Sequence, residues 1–446
     1  MRIIIAGAGD VGFHLAKLLS NENQDIILID TDEEKLKYVT SHLDVATIKG
    51  NSTSIKVLEE ANVSKSDLLI SATSSEDTNL ATAMIAKHMG AKKTIARISN
   101  IEFLLNKDKL DHKQLGIDEL ISPASLVARE IKRLLRQAAL TDTFEFDNGL
   151  LSLVGISIEE NSKLRNKTIA DVAHLNPENN YLTVAILRHH ETIIPRGETR
   201  FQLNDHAYFI AQPDGVNRVM DLAGKRQLDI KNVMILGGGK VGYNAARRLG
   251  KKYKIKLIEK DKERCIELAD QLRDCLIING DGTDVKFLQE EGLNDMDAFI
   301  AVTGDSEINI ISSLVAKNNG VKKSISLVEN MDYIHLSQAI GVDTMINKKL
   351  IAANFIFRYI RKGEVLSIAS IHGVNAEILE FEVKPESKIS KNPLKDLDFP
   401  HHAIIGGVIR KGSGHIVMGD FQFEPKDRVV VLTMLDAIRK VEAFFK

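Results

Sequence analysis

Short apolar segments alternate with longer amphipathic stretches through the first third of the chain. Segments rich in Ile, Leu and Val predict β-strands, whereas apolar positions that recur every three to four residues predict helices. The predicted strands are residues 2–6, 25–30, 45–48, 67–72, 94–98 and 118–121. The predicted helices are residues 11–19, 55–61 and 77–89, with Gly90 as the stop signal of the last one. This alternation predicts a parallel, doubly wound sheet.

The whole pattern is repeated later in the chain, which indicates an internal duplication. All matching segments are separated by the same shift, the one that carries Gly7 to Gly237. The matching segments are Gly7-Ala8-Gly9-Asp10-Val11-Gly12 with Gly237-Gly238-Gly239-Lys240-Val241-Gly242, Gly50-Asn51-Ser52-Thr53 with Gly280-Asp281-Gly282-Thr283, Ile70-Ser71-Ala72-Thr73 with Ile300-Ala301-Val302-Thr303, and Asn79 with Asn309. Several landmarks at one shift indicate that both halves follow one plan.

Each half continues into a smaller region with its own repeat. The matched residues, again at one constant shift, are Gly197 with Gly419, Phe201 with Phe423, and Asp205 with Asp427. Seven of the eight prolines fall in these two regions. Because proline is excluded from the interiors of helices and central strands, we expect the regions to be rich in turns. Their apolar segments predict strands at 150–158, 181–187, 206–211, 377–383, 403–409 and 428–433.

The predicted fold is therefore α/β, with two tandem Rossmann-like doubly wound parallel sheets, each followed by a small α+β lobe. The predicted domains are a first large lobe at 1–140, a first small lobe at 141–224, a second large lobe at 230–363 and a second small lobe at 364–446. Lobes of this size are ordinary for protein domains, and 446 residues are enough for several hydrophobic cores.

The composition agrees with this fold and serves mainly to exclude other classes of protein. Hydrophobic residues make up 44% of the chain and charged residues 27%, which is typical of a globular protein. No apolar stretch approaches the roughly 20 residues of a membrane-spanning helix, and the N-terminus enters the first predicted strand without a signal-peptide pattern. Two cysteines, Cys265 and Cys275, exclude a disulfide framework or a cysteine-rich zinc site. A net charge of −2 argues against general nucleic-acid binding, so we expect a cytoplasmic protein without a nucleic-acid partner.

The first glycine-rich loop is a candidate phosphate-binding site. Gly7, Gly9 and Gly12 follow a predicted strand and open a predicted helix, which is the setting of a dinucleotide-binding loop. The first glycine allows the tight turn, the second lets a diphosphate approach the backbone, and the third lets the helix pack on the strand. Asp30 ends the next strand, close to the spacing of about 20 residues after the loop at which an acid binds ribose hydroxyls. Because this carboxylate would repel a 2′-phosphate, NAD is favoured over NADP.

The second half repeats this arrangement with one change of charge. Its loop glycines and its acid are Gly237, Gly239, Gly242 and Glu259. Asp10 places a carboxylate in the first loop, where it is expected to point away from a bound phosphate. Lys240 places a cation at the same position of the second loop. The alternative for both residues is that they are solvated loop residues without a role in binding.

Polar residues that follow the fourth and fifth strands complete the first candidate site. Ligands of open parallel sheets bind beyond the carboxyl ends of the strands. Thr73 and Ser74 follow the fourth strand, and Arg97 ends the fifth, where it can reach a phosphate or be an ordinary surface residue. The second half has Leu327 at the position of Arg97. This difference predicts that the two sites bind differently, or that only the first binds tightly.

No recognisable catalytic apparatus accompanies the two loops. None of the seven tyrosines precedes a lysine by four residues, no His-x-x-x-His spacing occurs among the 13 histidines, and no Gly-x-Ser-x-Gly elbow is present. A dinucleotide site without such residues suggests a sensor whose ligand biases a conformational equilibrium. The alternatives are an NAD-dependent soluble oxidoreductase with the small lobes as substrate domains, and a ligand-responsive transcription regulator, which the lack of a basic recognition helix disfavours.

The order of these motifs resembles the TrkA family of potassium-uptake regulatory proteins and, more broadly, the domains that regulate the conductance of potassium channels. The resemblance spans essentially the whole chain, and the residues that carry it are the two glycine loops, Asp30, Thr73, Arg97, Glu259 and the segment 161–168 at the start of the first small lobe. The departures from it are Leu327 at the counterpart of Arg97, and Asp281-Gly282 in place of Asn51-Ser52.

The resemblance implies a non-enzymatic cytoplasmic subunit on the inner face of the membrane. Such a subunit forms a homo-oligomeric ring, expected to be a tetramer, and gates a membrane-embedded potassium transporter. The resemblance also implies binding of NAD(H) and, as in several members, of ATP or ADP. The first implied site comprises Gly7, Ala8, Gly9, Asp10, Val11, Gly12, Asp30, Asn51, Ser52, Thr73, Ser74 and Arg97. The second comprises Gly237, Gly238, Gly239, Lys240, Val241, Gly242, Glu259 and Asp281.

Overall fold

A computed structural model describes residues 1–20, 24–106, 109–136, 142–189, 191–224, 228–330, 333, 341–361, 367–370 and 376–446. The chain divides into two compact units. The large lobes form one unit, Met1–Lys132 with Lys231–Phe357, and the small lobes form the other, Arg133–Ile230 with Arg358–Lys446. The domain boundaries expected at 140/141, 224/230 and 363/364 stay predictions.

The first large lobe is a six-stranded parallel sheet flanked by helices. Its strands are β1 (Arg2–Ala6), β2 (Asp25–Asp30), β3 (Ala46–Lys49), β4 (Leu68–Ser71), β5 (Thr94–Arg97) and β6 (Glu119–Ile121). Its helices are α1 (Asp10–Ser20), α2 (Glu33–His42), α3 (Ile55–Glu60), α4 (Glu76–His88), α5 (Glu102–Leu105) and α6 (Pro123–Arg136). The strand order is β3-β2-β1-β4-β5-β6. This confirms the predicted doubly wound α/β fold, and every predicted strand and helix lies within one residue of its expected bounds.

The first small lobe is a five-stranded antiparallel sheet with two helices. Its strands are β7 (Asp142–Phe146), β8 (Leu151–Ser157), β9 (Tyr181–Arg188), β10 (Glu191–Ile193) and β11 (His206–Ala211). Its helices are α7 (Ile169–Val172) and α8 (Pro213–Leu222). The strand order is β10-β9-β11-β8-β7. Apolar side chains of the strands and of α8 fill the space between sheet and helix, which gives the expected α+β arrangement.

The second large lobe repeats the first. Its strands are β12 (Asn232–Leu236), β13 (Lys254–Glu259), β14 (Cys275–Asn279), β15 (Ala298–Ala301), β16 (Lys323–Leu327) and β17 (Thr344–Ile346). Its helices are α9 (Lys240–Leu249), α10 (Lys262–Gln271), α11 (Val285–Glu290), α12 (Ser306–Asn318) and α13 (Lys348–Arg361). The strand order β14-β13-β12-β15-β16-β17 is that of the first large lobe, so the duplication holds at the level of topology.

The second small lobe repeats the antiparallel sheet. Its strands are β18 (Ser367–Ser370), β19 (Ala376–Glu382), β20 (Ala403–Arg410), β21 (Ser413–His415) and β22 (Arg428–Met434), in the order β18-β19-β22-β20-β21, and its helix is α14 (Ile438–Phe445). The two small lobes share one apolar core, in which Tyr208 and Ile210 of the first lobe pack with Ile378 and Leu432 of the second. None of the helices described here combines the length and the apolar character needed to cross a bilayer.

The repeated aspartates of the small lobes anchor buried ion pairs. Asp205 is 1% exposed and accepts hydrogen bonds from Nε and Nη2 of Arg188 at 2.8 and 2.7 Å. Asp427 is 2% exposed and accepts from the same atoms of Arg410 at 2.8 and 2.6 Å. A buried carboxylate needs such a bidentate partner, which explains why these aspartates recur in both halves.

Cys275, at the start of β14, is expected to be a slow nucleophile. Its thiol is half-buried and its Sγ atom lies 3.7 Å from the Ala246 carbonyl oxygen. Burial raises the pKa of the Cys275 thiol to about 11. Since the thiolate is the reactive form, only about one thousandth of this thiol is ionised at pH 8. In a Cys265→Ser variant we expect alkylation by iodoacetamide at pH 8 to be at least about tenfold slower than in urea. Equal rates would contradict the assigned burial.

Candidate functional site

The first candidate site lies where the strand order of the first parallel sheet reverses, between β1 and β4. The loop from β1 to α1 starts at Gly7, whose φ of +108° favours glycine and whose N–H donates to the Ile29 carbonyl oxygen at 2.8 Å. A Cβ atom on Gly7 would lie 2.9 Å from the backbone of Ala72. A Cβ atom on Gly12 would lie 1.9 Å from the Gly7 carbonyl oxygen. The fold itself therefore requires both glycines.

Gly9 differs from these two glycines, because the fold leaves space around it. A Cβ atom on Gly9 would have no heavy atom within 4 Å, and the backbone there is not in the left-handed region. The same holds for Gly239, its counterpart in the loop from β12 to α9. Glycine at these positions is not demanded by packing. Its effect is to keep the backbone at the start of each helix, where amides lack intrahelical partners, accessible from the cleft.

Each loop is bordered by the acid that ends the neighbouring strand. Asp30 Oδ2 accepts a hydrogen bond from the Ala8 amide at 2.6 Å, and Oδ1 accepts one from the Asp32 amide at 2.9 Å. In the second large lobe, Glu259 Oε2 accepts a hydrogen bond from the Gly238 amide at 2.7 Å. Both carboxylates are half-buried. They occupy the position at which a dinucleotide-binding fold holds the ribose hydroxyls.

A buried asparagine, which the sequence revealed only as a landmark of the repeat, organises the loop after β4. Asn79 Oδ1 accepts hydrogen bonds from the N–H and the hydroxyl of Thr73 at 2.8 and 2.7 Å. Its Nδ2 donates to the carbonyl oxygens of Thr73 and Arg97 at 3.1 and 3.0 Å. The corresponding asparagine of the second large lobe makes the same contacts. The Thr73 hydroxyl is thus engaged by the protein, whereas Ser74 beside it is exposed.

The side chains of three other predicted site residues also form hydrogen bonds within the protein. Asn51 Oδ1 accepts hydrogen bonds from the N–H and hydroxyl two residues on, at 3.0 and 2.9 Å, and so shapes the turn after β3. Ser52 is buried, with its hydroxyl 2.9 Å from that of Thr82. Asp281 forms the same turn as Asn51 and pairs with Lys260 at 2.8 Å, and this contact holds the pKa of Asp281 well below its usual range.

The two clefts differ in charge. Arg97 is half-buried and forms no ion pair with any residue in the described ranges; burial lowers its pKa, and the Asp10 carboxylate opposes that shift. Asp10 lies 2.8 Å from Lys349 of α13, a residue that the sequence did not indicate. In the second large lobe, Leu327 is buried at the position of Arg97, and Lys240 lies exposed in the loop itself. Cations therefore stand near both loops, but different elements supply them.

Two Rossmann-like sheets, each with an accessible glycine loop and a neighbouring acid, define a tandem protein of the dinucleotide-binding fold class. The TrkA-N domain matches residues 3–123 and 233–348, and the TrkA-C domain matches residues 153–224 and 378–446. The chain belongs to the TrkA family.

Relatives match from end to end. The Trk system potassium uptake protein TrkA homolog of Archaeoglobus fulgidus is 34% identical, with 100% of both chains covered. TrkA homolog 1 of Methanosarcina mazei is 33% identical, again with 100% of both chains covered. The Trk system potassium uptake protein TrkA of Halomonas elongata is 32% identical over 100% of this chain and 99% of its own. The resemblance expected from the motifs is thereby confirmed.

Solved structures share the fold at low sequence identity. The GsuK channel bound to NAD has a TM-score of 0.62 at 14% identity, covering 100% of this chain and 78% of its own. The GsuK RCK domain has a TM-score of 0.61 at 14% identity, covering 99% of this chain and 95% of its own. These proteins therefore share the fold of this chain over nearly its whole length.

Proposed function

We propose that this protein is a nucleotide-sensing regulatory subunit of a Trk-type potassium uptake system, in which the bound nucleotide is a signal and is not consumed. One observation carries the proposal: both loops keep an accessible backbone at Gly9 and Gly239, although packing does not require glycine there. Full-length relatives named as potassium uptake proteins supply the transport context.

NAD(H) is the ligand that we propose for the first cleft. An acid beside the loop suits an unphosphorylated adenosine ribose, and the cation Arg97 stands nearby without an ion pair in the described ranges. GsuK structures with the same fold are described as bound to NAD and, in another case, to ADP. We extend both ligand types to this chain, with ATP or ADP as further candidates, and expect tighter NAD(H) binding in the first cleft than in the second.

The ligand assignment is tested by calorimetric titration of the full chain with NAD+, NADH, ATP and ADP. Gly9→Trp and Gly239→Trp variants assign each binding event to one loop. Absorbance of bound NADH at 340 nm is expected to stay constant on incubation. Absence of binding by all four compounds would overturn the proposal, and oxidation of NADH would favour the oxidoreductase instead.

Asp30→Arg is expected to weaken NADH binding roughly ten- to hundredfold, since a charge-assisted hydrogen bond contributes about 1.5–3 kcal/mol. The substitution removes the carboxylate that faces the ribose and places a cation there, so the preference between NADH and NADPH should shift toward NADPH. Competition titration in a Gly239→Trp background measures both affinities. Glu259→Arg is the matched control, because it makes the same change beside the other loop. An unchanged NADH affinity would contradict the role of Asp30.

We further propose that the protein acts on the cytoplasmic face of the membrane as a homo-oligomeric ring, expected to be a tetramer, bound to a membrane-embedded potassium transporter. Light scattering measures the mass of the assembly, and co-purification from membranes tests the contact. Rubidium uptake by cells that carry the transporter tests gating. Uptake that is identical with the wild type and with a Gly9→Trp/Gly239→Trp variant would contradict control by nucleotide.

A further inference from the structure

A side chain from the second large lobe reaches the first glycine loop. Lys349 Nζ lies 2.8 Å from Asp10 Oδ2, and Asp10 directly follows Gly9. A second, longer contact of 3.9 Å joins Lys349 Nζ to Glu329 Oε2. Lys349 is the second residue of α13, and its backbone N–H donates to Asn347 Oδ1 at 2.8 Å, which fixes the start of that helix. Both large lobes belong to one compact unit, so the first loop is bordered by residues from each.

Folding stability does not account for a lysine at position 349. The Asp10 and Glu329 side chains are 70% and 60% exposed, and exposed ion pairs contribute little to stability. A lysine in the first turn of a helix also opposes the helix dipole, and α13 has no acidic residue in its first turn to offset Lys348 and Lys349. The position of Lys349 is therefore better explained by what its ammonium group contacts.

The residues at the equivalent positions of the second loop and of α6 carry different charges. Helices α6 and α13 are counterparts that begin at Pro123 and Lys348, which places Ala124 at the position of Lys349. Lys240 stands at the position of Asp10 in the second loop. The second loop thus has its own lysine, and α6 has an alanine at the position of Lys349. The first loop has an acid and a lysine that comes from the other lobe.

We propose that Lys349 is a phosphate-binding residue of the first site, and that Asp10 holds it at the loop until a ligand arrives. The ligand class is a dinucleotide or nucleoside diphosphate, whose diphosphate would replace Asp10 as the partner of Lys349. The Asp10 carboxylate also opposes the lowering of the Arg97 pKa by burial. Asp10 therefore competes with a bound diphosphate for both Lys349 and Arg97. The second large lobe then completes the first site, and occupancy changes a contact between the lobes. The choice of ligand rests on the proposed function.

Calorimetry with NADH on the full chain in a Gly239→Trp background tests this inference. Lys349→Gln is expected to weaken binding roughly tenfold, because it removes one charge-assisted contact to the diphosphate. Asp10→Asn is expected to tighten binding a few-fold, because it removes the competing anion. These opposite changes in NADH affinity distinguish the proposal from a purely structural role of the ion pair. If the ion pair only braced the loop, both substitutions would remove the same contact and change the affinity in the same direction.

Lys348→Gln is the matched control, since it removes one positive charge from the neighbouring residue and should leave the affinity within about twofold. Lys349→Arg should retain most of the wild-type affinity. If NADH binding depends on Gly9 but Lys349→Gln leaves it unchanged, the inference is overturned while the proposed function stands. Changes of the same sign in Lys349→Gln and Asp10→Asn overturn it as well. If NADH, ATP and ADP all fail to bind the unsubstituted chain, both proposals are overturned.

Discussion

Gly9→Trp is expected to abolish NADH binding at the first loop while leaving the fold intact. A Cβ atom at position 9 has no heavy atom within 4 Å, so the free energy of unfolding should change by less than about 1 kcal/mol. The indole ring would occupy the space through which a diphosphate reaches the loop amides. Loss of two charge-assisted contacts of about 1.5 kcal/mol each raises the dissociation constant at least about a hundredfold. Calorimetry measures the affinity, and thermal unfolding measures the stability.

Gly12→Ala is the matched contrast to Gly9→Trp. Its single added methyl group would lie 1.9 Å from the Gly7 carbonyl oxygen, so helix and strand must separate. We expect destabilisation of about 1–3 kcal/mol or more, as for other overpacked sites. We therefore expect Gly9→Trp to keep the wild-type stability and Gly12→Ala to lose stability. That result would show that ligand binding, and not folding, explains the glycine at position 9. Wild-type NADH affinity in Gly9→Trp would overturn the assigned cleft.

The sequence predicted the large lobes well because their strands are buried on both faces. Ile3, Ile4 and Ile5 of β1 are all fully buried, so the strand is an uninterrupted apolar run with sharp ends. The edge strands of the small lobes have no comparable run of apolar residues. The three residues of β21 are Ser, Gly and His, and among the described strands their partner is β20 alone. Pairing of this kind depends on a neighbouring strand and leaves no hydrophobic pattern of its own.

The candidate site was predictable in position but not in detail. Spacing alone located both loops and placed Asp30 beside the first one. It could not separate Gly9, the glycine that we assign to ligand binding, from the glycines that packing requires, because that distinction depends on distances to other segments. Nor could it show that the Ser52 hydroxyl faces Thr82. Lys349 and Asp10 lie in different halves of the sequence, and only the pairing of the two large lobes brings them together.

A cluster of three charged residues, of which only Glu380 is fully buried, joins the two small lobes. Arg428 Nη2 lies 2.6 Å from Glu380 Oε1, and Nη1 of the same arginine lies 2.9 Å from Asp147 Oδ2. Glu380 and Arg428 belong to the second small lobe and Asp147 to the first. The Glu380 side chain is 1% exposed. Burial raises the pKa of Glu380, while the Arg428 guanidinium opposes that rise. The Arg428 guanidinium is thus the group that favours the ionised form of this buried carboxylate.

Arg428→Met is expected to destabilise the chain by about 3–5 kcal/mol at pH 7.5, the usual cost of leaving one member of a buried ion pair uncompensated. Methionine fills much of the same volume, so lost packing contributes little to this figure. Urea unfolding followed by circular dichroism measures the difference from the wild type. The double variant Glu380→Gln/Arg428→Met is the control, because it removes the carboxylate and should recover most of the loss.

The pH dependence identifies the source of that loss. Some carboxyl groups have a higher pKa in the folded than in the unfolded chain. Such a group contributes its full stabilisation of the fold at pH values below the unfolded pKa, about 4.3 for Glu. This contribution is lost as the pH rises through the folded pKa. Without Arg428, the pKa of folded Glu380 rises further. Lowering the pH from 7.5 to 5 should therefore shrink the deficit of Arg428→Met by up to about 1.4 kcal/mol per pH unit over which folded Glu380 is protonated. The double variant should show no such recovery. A deficit that is the same at both pH values would mean that the buried carboxylate is not its cause.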